Sequence, residues 1–450
     1  MSVCKNQDVQ LQIEALTNLG TGIGHVDGMA VFVAGGVPGD TLLVHIIKVK
    51  QSYAIAKLLR VVTPSPDRIE ADCPLFPQCG GCALRTVSYA REAAQKKQQT
   101  ADAFSHLAGI DIEPEEILVG DTMRYRNKAQ YPISMENGQV HIGFYAPHSH
   151  RVMDCDDCLL QPTEFATIVA ILKQFIEENA ISVYNAQTGL GLLRHLYLRR
   201  AFATGEIMVC LVLNGTALPL SDRLCARLCA AVPSIRTILL NVNTEQTNVI
   251  LGKQLKVLFG DGYIEDVLCG VKVRLSALSF YQVNHDMAER LYEKAAEFAA
   301  LSGKEVLLDL YCGTGTIGLS MAKSAKRVIG VEVIPEAIQD AKQNAKENGI
   351  ENAAFYCADA KQVLGILEKE QVKPDVVLLD PPRKGCDETV LQTVAELQPE
   401  KLVYISCDPA TQARDARRLW ALGYTVHRLC SVDLFPRTAH VESVALFLKR

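Results

Sequence analysis

From about residue 280 onward, short apolar runs alternate with amphipathic stretches at regular spacing. EVLLDL (305–310), RVIGVEV (327–333), AAFYCA (353–358), DVVLLD (375–380) and KLVYIS (401–406) read as buried strands, and the segments around 335–348, 360–369, 387–397 and 409–421 as helices between them. This alternation predicts an α/β, Rossmann-like domain over residues 276–450, with a parallel sheet covered by helices on both faces and ligands at the carboxyl ends of its strands. The start of the chain has a different rhythm. Over residues 9 to about 62, VFVAGG, DTLLVHIIKV and YAIAKLLRVV are short β segments separated by glycine turns, which predicts a small antiparallel β-barrel over residues 1–64. TPSPDR, with Pro64 and Pro66, breaks that pattern as a linker. Between the two lies a central α+β domain, residues 65–275, with helix-like 87–107 and FATIVAILKQFIEE and strand-like EIMVCLVL and TILLNVN.

Composition narrows the setting. A chain of 450 residues, 48% of them hydrophobic, is long enough for two or three cores. Its first residues lack the basic start and apolar run of a signal peptide, and no apolar stretch reaches the length of a membrane span, so a cytoplasmic protein with no membrane association is expected. Fifteen cysteines in that compartment point to metal-binding or catalysis before disulfides. The net charge of −5 argues against a protein that coats nucleic acid indiscriminately and leaves room for a local basic groove.

Candidate chemistry begins after EVLLDL, where Tyr311-Cys312-Gly313-Thr314-Gly315-Thr316-Ile317-Gly318 matches G-x-G-x-x-G between a strand and a helix. Glycines there allow close backbone approach to a ligand, and Glu332, at the end of the next strand, can accept from both hydroxyls of a ribose. A nucleotide-like cofactor fits, although a tight turn without ligand has the same pattern. The fourth strand ends Asp380-Pro381-Pro382-Arg383, a rigid turn that dehydrogenases do not need. An Asp-Pro-Pro turn at this place looks like that of Rossmann-like methyltransferases acting on bases, which implies S-adenosylmethionine; a plain proline-rich loop is the alternative.

The fifth strand delivers Ser406-Cys407-Asp408-Pro409 to the same edge. Pro409 suits a helix start, and a thiol at a helix N-terminus is expected to have a lowered pKa. A thiolate that adds to carbon 6 of uracil activates carbon 5 toward a methyl donor, and a base must then take the proton from carbon 5. Glu442 and His440, just before the final strand VALFLKR, are the candidates for that base, though a charged residue there is as readily solvated surface.

A second chemistry lies upstream. Cys73-Pro-Leu-Phe-Pro-Gln-Cys79-Gly-Gly-Cys82 gathers three thiolates, and Cys158 or Cys155 can supply a fourth. Structural zinc takes four cysteines, and an iron–sulfur cluster takes the same set.

Taken in order, DLYCGTG, LLDPPRKG, YISCDPAT and HVES resemble the RNA uracil-5-methyltransferase family, and SFYQVN (279–284) is similar to the segment before its methyltransferase fold. The resemblance implies Cys407 as nucleophile and Glu442 as base, with S-adenosylmethionine contacts at Gln282, Tyr311, Glu332 and Asp380 beside the turn glycines Gly313 and Gly315. Thr316 and Asp359 stand where many members carry asparagine, and are carried over as contacts that can still hydrogen-bond. The family's ribosomal RNA branch carries a [4Fe–4S] cluster, which would fall on Cys73, Cys79, Cys82 and Cys158, with Cys155 a near neighbour. That branch also carries a TRAM domain, an RNA-binding module that the N-terminal barrel resembles and that the transfer RNA branch lacks. The resemblance therefore implies RNA as partner, with 23S ribosomal RNA favoured over transfer RNA; no obligate protein partner is indicated.

Basic and aromatic residues interleave at Arg124-Tyr125-Arg126-Asn127-Lys128 and at Arg194-His195-Leu196-Tyr197-Leu198-Arg199-Arg200, with Lys48, Lys50 and Lys57 in the barrel. Such mixtures suit single-stranded RNA, where cations meet phosphates and rings stack on bases, and any one of them can equally be solvated surface. A target uridine would have to be flipped out, so an unpaired site is expected. Two competing readings are an iron–sulfur RNA-binding or ribosome-assembly factor with an idle methyltransferase fold, and an RNA cytosine-5-methyltransferase.

Overall fold

In the computed structural model, which describes residues 3–359 and 362–450, the chain builds four sheets. The first has six strands in the order Asp8–Gln12, Thr41–Val49, Tyr53–Thr63, Met29–Val33, Gly22–Val26 and Ala15–Leu16. Its alternating inward residues, among them Val31, Val33, Leu42, Val44 and Ile46, form a separate small core. The expected all-antiparallel pairing holds except for Met29–Val33 beside Tyr53–Thr63, which run parallel. Two chain reversals, before and after Thr41–Val49, return the chain in its original direction, so the third run must lie parallel to the first. The proline stretch expected as a linker is tied to this barrel: buried Asp40 accepts from Ser65 N at 2.9 Å and from Arg68 Nε at 3.0 Å.

The central sheet has seven strands, in the order Val152–Asp154, Gln139–Tyr145, Lys128–Glu136, Leu193–Arg200, Ile207–Leu213, Ile235–Val242 and Gln254–Phe259. Every residue of Ile207–Leu213 is buried, which is why that strand reads as an unbroken apolar run. Helices Thr163–Glu178 and Ser221–Ala231 pack against it. A hairpin, Ile264–Leu268 with Val271–Leu275, leads into the last domain.

There, eight strands lie in the order Ala353–Cys357, Arg327–Glu332, Val306–Leu310, Val376–Leu379, Lys401–Ser406, Glu442–Lys449, Tyr424–Val432 and Ile117–Leu118. The first five are parallel, and Glu442–Lys449 inserts antiparallel between Lys401–Ser406 and Tyr424–Val432. Strand order reverses at Val306–Leu310, so a crevice opens where the chain leaves that strand and Val376–Leu379 in opposite directions. Apolar cores lie on both faces of the sheet. The helix expected over 87–107 is Tyr89–Ala103 followed by a π-helical turn, Phe104–Ala108, and it lies on the C-terminal domain against helix Pro409–Ala421. Of the helix expected over 360–369, residues 360 and 361 lie outside the described residues, and Val363–Glu370 is helical.

Candidate active site

Backbone geometry at the crevice follows from its glycines. Tyr311, Gly313 and Gly315 all have left-handed φ values, 65°, 52° and 79°, which turn the chain sharply off its strand. A Cβ at Gly315 would sit 2.9 Å from the Phe355 ring, and one at Gly318 would sit 2.8 Å from Asp309 Oδ2. Gly318 N donates to that same oxygen at 3.0 Å, so the last glycine of the motif lets the helix seat against the strand. Glu332 braces the turn: its carboxylate accepts from Val333 N at 2.7 Å and from Gly313 N at 3.3 Å.

Strand register brings the reactive side chains together. Ser406 pairs with Ser443 on adjacent antiparallel strands, so Cys407 and Glu442, one residue further out on each, meet at the same end of the ladder. Leu379 pairs with Tyr404 in parallel, which brings Asp380 to that edge as well. Gln412 locks the arrangement, donating to Tyr404 O and accepting from Ser443 Oγ, both at 2.8 Å.

One cavity of about 1300 Å³ is lined by Gln282, Tyr311, Gly313, Thr316, Glu332 and Asp359, and also by Asp380, Cys407 and Glu442. Gly315 is absent from the lining and acts through the turn. His440, the weaker candidate base, is also not part of the wall.

Charge is concentrated in that cavity. Burial lifts Asp380 to about 7. Burial, then the neighbouring Asp380, lifts Glu442 to about 8, while Arg383 opposes the shift. Asp309, beneath the turn, is also lifted to about 8 by burial and by Asp380. The lowered thiol pKa expected for Cys407 is overturned: burial, then Glu442 and Asp380, push it up to about 11. A helix does begin at Pro409, with Asp408 Oδ1 capping Ala410 N at 2.9 Å, but two nearby acids and desolvation outweigh its terminus.

The chain between Asp433 and Glu442 is clamped by groups that sequence reasoning missed. Lys96 Nζ, 1% exposed, donates to Glu92 Oε1 at 2.8 Å, to Asp433 Oδ1 at 2.7 Å and to Phe435 O at 3.2 Å. Arg437, at φ 68°, gives its N–H to Glu92, and its carbonyl accepts from Ala83 N and Leu84 N. Tyr125 OH donates to Pro436 O at 2.8 Å. The segment just after Cys82 is thus hydrogen-bonded to the loop that ends at Glu442. On a helix, glutamate and lysine four apart look like solvated surface, so no sequence signal marked this clamp.

The cysteines near the start of the central domain gather as expected but in a different place. Cys73, Cys79, Cys82, Cys155 and Cys158 all line a separate cavity of about 90 Å³. Gly81 N points at Cys79 Sγ and Arg85 Nε at Cys82 Sγ, each at 3.4 Å. The Cys155 thiol donates to Cys158, which lowers the pKa of Cys158 and raises that of Cys155. Among the described residues, no three His, Cys, Asp or Glu side chains converge closely enough to hold a single metal ion.

Several arginines expected to face RNA are used internally. Arg124 pairs with Asp157 at 2.6 Å, Arg194 donates to Asn243 O and Glu245 O, and Arg199 donates to Ser276 O and Ser279 O. The bonds of Arg199 tie the central sheet to the segment that opens the C-terminal domain, and those of Arg124 and Arg194 stay within the central domain.

A family model described as tRNA (uracil-5-)-methyltransferase matches residues 88–450. The chain belongs to this family. A TRAM domain model matches residues 2–59, over the six-stranded barrel. A protein of Clostridium tetani named uncharacterized RNA methyltransferase is 44% identical over 445 residues, covering 99% of this chain and 97% of the relative. A protein of Halalkalibacterium halodurans with the same description is 43% identical over 446 residues, covering 99% and 97%. Among solved structures, the Pyrococcus abyssi tRNA (uracil-54, C5)-methyltransferase in complex with S-adenosyl-L-homocysteine has a TM-score of 0.79 and 27% identity, covering 98% of this chain and 99% of that one. Membership makes this an S-adenosylmethionine-dependent RNA methyltransferase, with RNA as its substrate class. No helix among the described residues is long and apolar enough to cross a membrane.

Proposed function

We propose that the protein methylates carbon 5 of a uridine in RNA, 23S ribosomal RNA being favoured, through a covalent Cys407–uracil adduct with Glu442 as the proton-abstracting base. One observation carries the reading: Cys407, Glu442 and Asp380 line the same cavity as Gln282, Tyr311 and Glu332. S-adenosylmethionine, when bound, supplies an electrophilic methyl group. Gln282, Tyr311, Gly313, Thr316, Glu332, Asp359 and Asp380 are its proposed contacts, with Gly315 shaping the turn beneath. Cys407, as its thiolate, adds to carbon 6 of the flipped base, and the carbon 5–carbon 6 π pair moves to make an enolate whose carbon 5 takes the methyl group, with S-adenosylhomocysteine as the leaving group. Glu442 then takes the carbon-5 proton, and the electron pair of that bond re-forms the double bond and expels Cys407 as thiolate. Burial raises Asp380 and Glu442 in the crevice, which suits a site that must exclude water around the reacting base.

The donor set of the smaller cavity fits a [4Fe–4S] cluster held by Cys73, Cys79, Cys82 and Cys158. What supports this reading is that five thiols line one small cavity, with the Gly81 amide directed at Cys79 and Arg85 at Cys82. When bound, such a cluster would act as a structural tie beneath the loop that leads to Glu442.

A second reading, transfer RNA as substrate, is favoured by one specific finding. The Pyrococcus abyssi enzyme is named for tRNA and matches this chain over 98% of its length, barrel included. Length and an N-terminal barrel therefore do not separate the substrates, and the ribosomal preference rests on the cysteine cluster. The test is to incubate the protein with unmodified 23S ribosomal RNA and transfer RNA transcripts and labelled S-adenosylmethionine, then map the product. 5-Methyluridine in 23S RNA is expected; label in transfer RNA alone selects the second reading, and 5-methylcytidine overturns both. Cys407→Ala should abolish product, and Glu442→Gln should accumulate a covalent protein–RNA complex; a fully active alanine variant removes the mechanism.

A further inference from the structure

Lys128 is the first residue of strand Lys128–Glu136, and it pairs with Arg199 on the neighbouring strand. Lys128 is the contribution of the central strand to the lining of the methyl-transfer cavity, which the glycine turn also lines. Asn127, one residue earlier, fixes the place: its Nδ2 donates to Gln282 O at 2.7 Å and its N–H to Val283 O at 2.8 Å.

The charges around Lys128 are unbalanced. Other sheltered lysines have acceptors: Lys96 meets Glu92 and Asp433, Lys173 meets Asp154, Lys294 meets Glu116 and Glu297, and Lys401 donates to Ala299 O. The charged groups that face Lys128 are Arg199, from the adjacent strand, and Arg126, two residues earlier; both are cations. Both are donors only and cannot accept from its ammonium, and their own Nε atoms are buried without acceptors. Burial, then these two arginines, push Lys128 down to about 8. Sheltering an ammonium among cations is costly unless an anion completes the site.

We propose that Lys128 is the anchor of an oxyanion subsite that takes a phosphodiester of the RNA strand beside the flipped nucleotide. The subsite rests on the reading of this cavity as the place of RNA methylation. A flipped base drags its own phosphates toward the pocket mouth, and an unpaired strand there needs a fixed cation to hold its path. Arg126, whose guanidinium lies over the rings of Tyr125 and Phe435, lines the cysteine cavity instead and adds only to the positive field at Lys128, which leaves Lys128 as the cation in the methyl-transfer cavity on this side. The acidic wall of the same cavity, with Glu332 and Asp380, repels phosphate, so the strand is directed to the Lys128 side.

The same chemistry could come from the carboxylate of the methyl donor, and the experiment separates the two sources. Lys128→Met, similar in length and apolar, is compared with the unsubstituted protein by RNA binding over a salt series, using 23S ribosomal RNA and transfer RNA transcripts, and by S-adenosylhomocysteine calorimetry. The expected result is RNA affinity lowered about 5- to 10-fold at moderate salt, a salt slope smaller by about 0.7, S-adenosylhomocysteine affinity unchanged, and an RNA-free melting temperature that does not fall, since an ammonium sheltered among cations is removed. Lys128→Arg should restore the slope. An unchanged slope overturns the subsite, as does weakened S-adenosylhomocysteine binding with RNA binding intact, which would assign the anion to the donor. These are binding measurements that need no turnover. Failure of the uridine reading would appear separately, as absence of 5-methyluridine from the unsubstituted protein's product.

Discussion

Glu442→Gln should make the protein more stable while it disables the proposed base, and the gain should grow with pH. The Glu442 carboxyl is buried at the end of the ladder, and folding lifts it from 4.5 to about 8, first by desolvation and then by Asp380. A folded-state pKa raised above the unfolded one means that folding takes up a proton. Stability is therefore full below about pH 4.5 and declines as pH rises, until the folded carboxyl ionises near 8. Each pH unit in that window costs a little over 1 kcal/mol, which gives a ceiling of roughly 3 kcal/mol at pH 7 and roughly 4 kcal/mol at pH 8. Glutamine has the same shape and no charge to desolvate, though its amide needs hydrogen bonds of its own. About half the ceiling is expected, or a rise of roughly 4–8 °C in the melting temperature of the C-terminal domain at pH 8, and none at pH 4.5. Thermal melts of both proteins across that pH range, in the absence of RNA, provide the measurement. A gain of equal size at pH 4.5 and 8, or no gain at either, would refute the assignment of a strained carboxyl at this position. The same ionisation should appear in catalysis: methylation by the unsubstituted protein should rise between pH 6 and 8, since only the carboxylate can accept the proton.

Two further outcomes follow from charges elsewhere in the fold. Lys96→Met leaves Glu92 and Asp433 buried without their shared cation, which should cost about 3–5 kcal/mol near neutral pH and less in acid, where Glu92, already raised by burial, takes up a proton; Lys96→Met should therefore melt well below the parent at pH 7, and an unchanged melt would show that Arg437 alone suffices. Because Asp380 and Glu442 ionise at about 7 and about 8, the cationic S-adenosylmethionine should gain affinity relative to neutral S-adenosylhomocysteine as pH rises from 6 to 9; a calorimetric ratio that stays flat would remove these acids from the donor's environment.

The parallel half of the C-terminal sheet was legible because each strand is an unbroken apolar run bounded by an amphipathic helix, and Lys401–Ser406 falls where the run predicted it. Gly313, Glu332 and Asp380 were legible for a related reason: strand ends in such a sheet converge, so motif residues at successive ends must share a crevice. The final hairpin was less so. Glu442–Lys449 inserts antiparallel beside Lys401–Ser406, and only that register places Glu442 opposite Cys407. Sequence reasoning reached the pair through a resemblance, with no means of deriving the contact. It misjudged the Cys407 thiol because a helix start can be read locally, whereas the two acids that raise its pKa arrive from other strands. Arg194 and Arg199 misled for the opposite reason: a cation beside aromatic rings looks like an RNA contact until the backbone carbonyls it serves are known.

The clamp on residues 433–441 explains why these distant pieces belong to one machine. The antiparallel pairing of Ser443 with Ser406 fixes the height of Glu442, but the chain that reaches it crosses from the end of Tyr424–Val432 without regular structure. That crossing is held on one side by Lys96 and Glu92 from the helix Tyr89–Ala103, and on the other by the amides of Ala83 and Leu84, directly after Cys82. Most of its anchors come from the 80–125 stretch, sequence that precedes the methyltransferase fold by well over a hundred residues. A Rossmann-like domain cut free at residue 276 would keep its cofactor turn and its cysteine, yet it would lose what holds the approach to its base. The N-terminal half therefore holds in place the segment that carries Glu442 to the cavity wall.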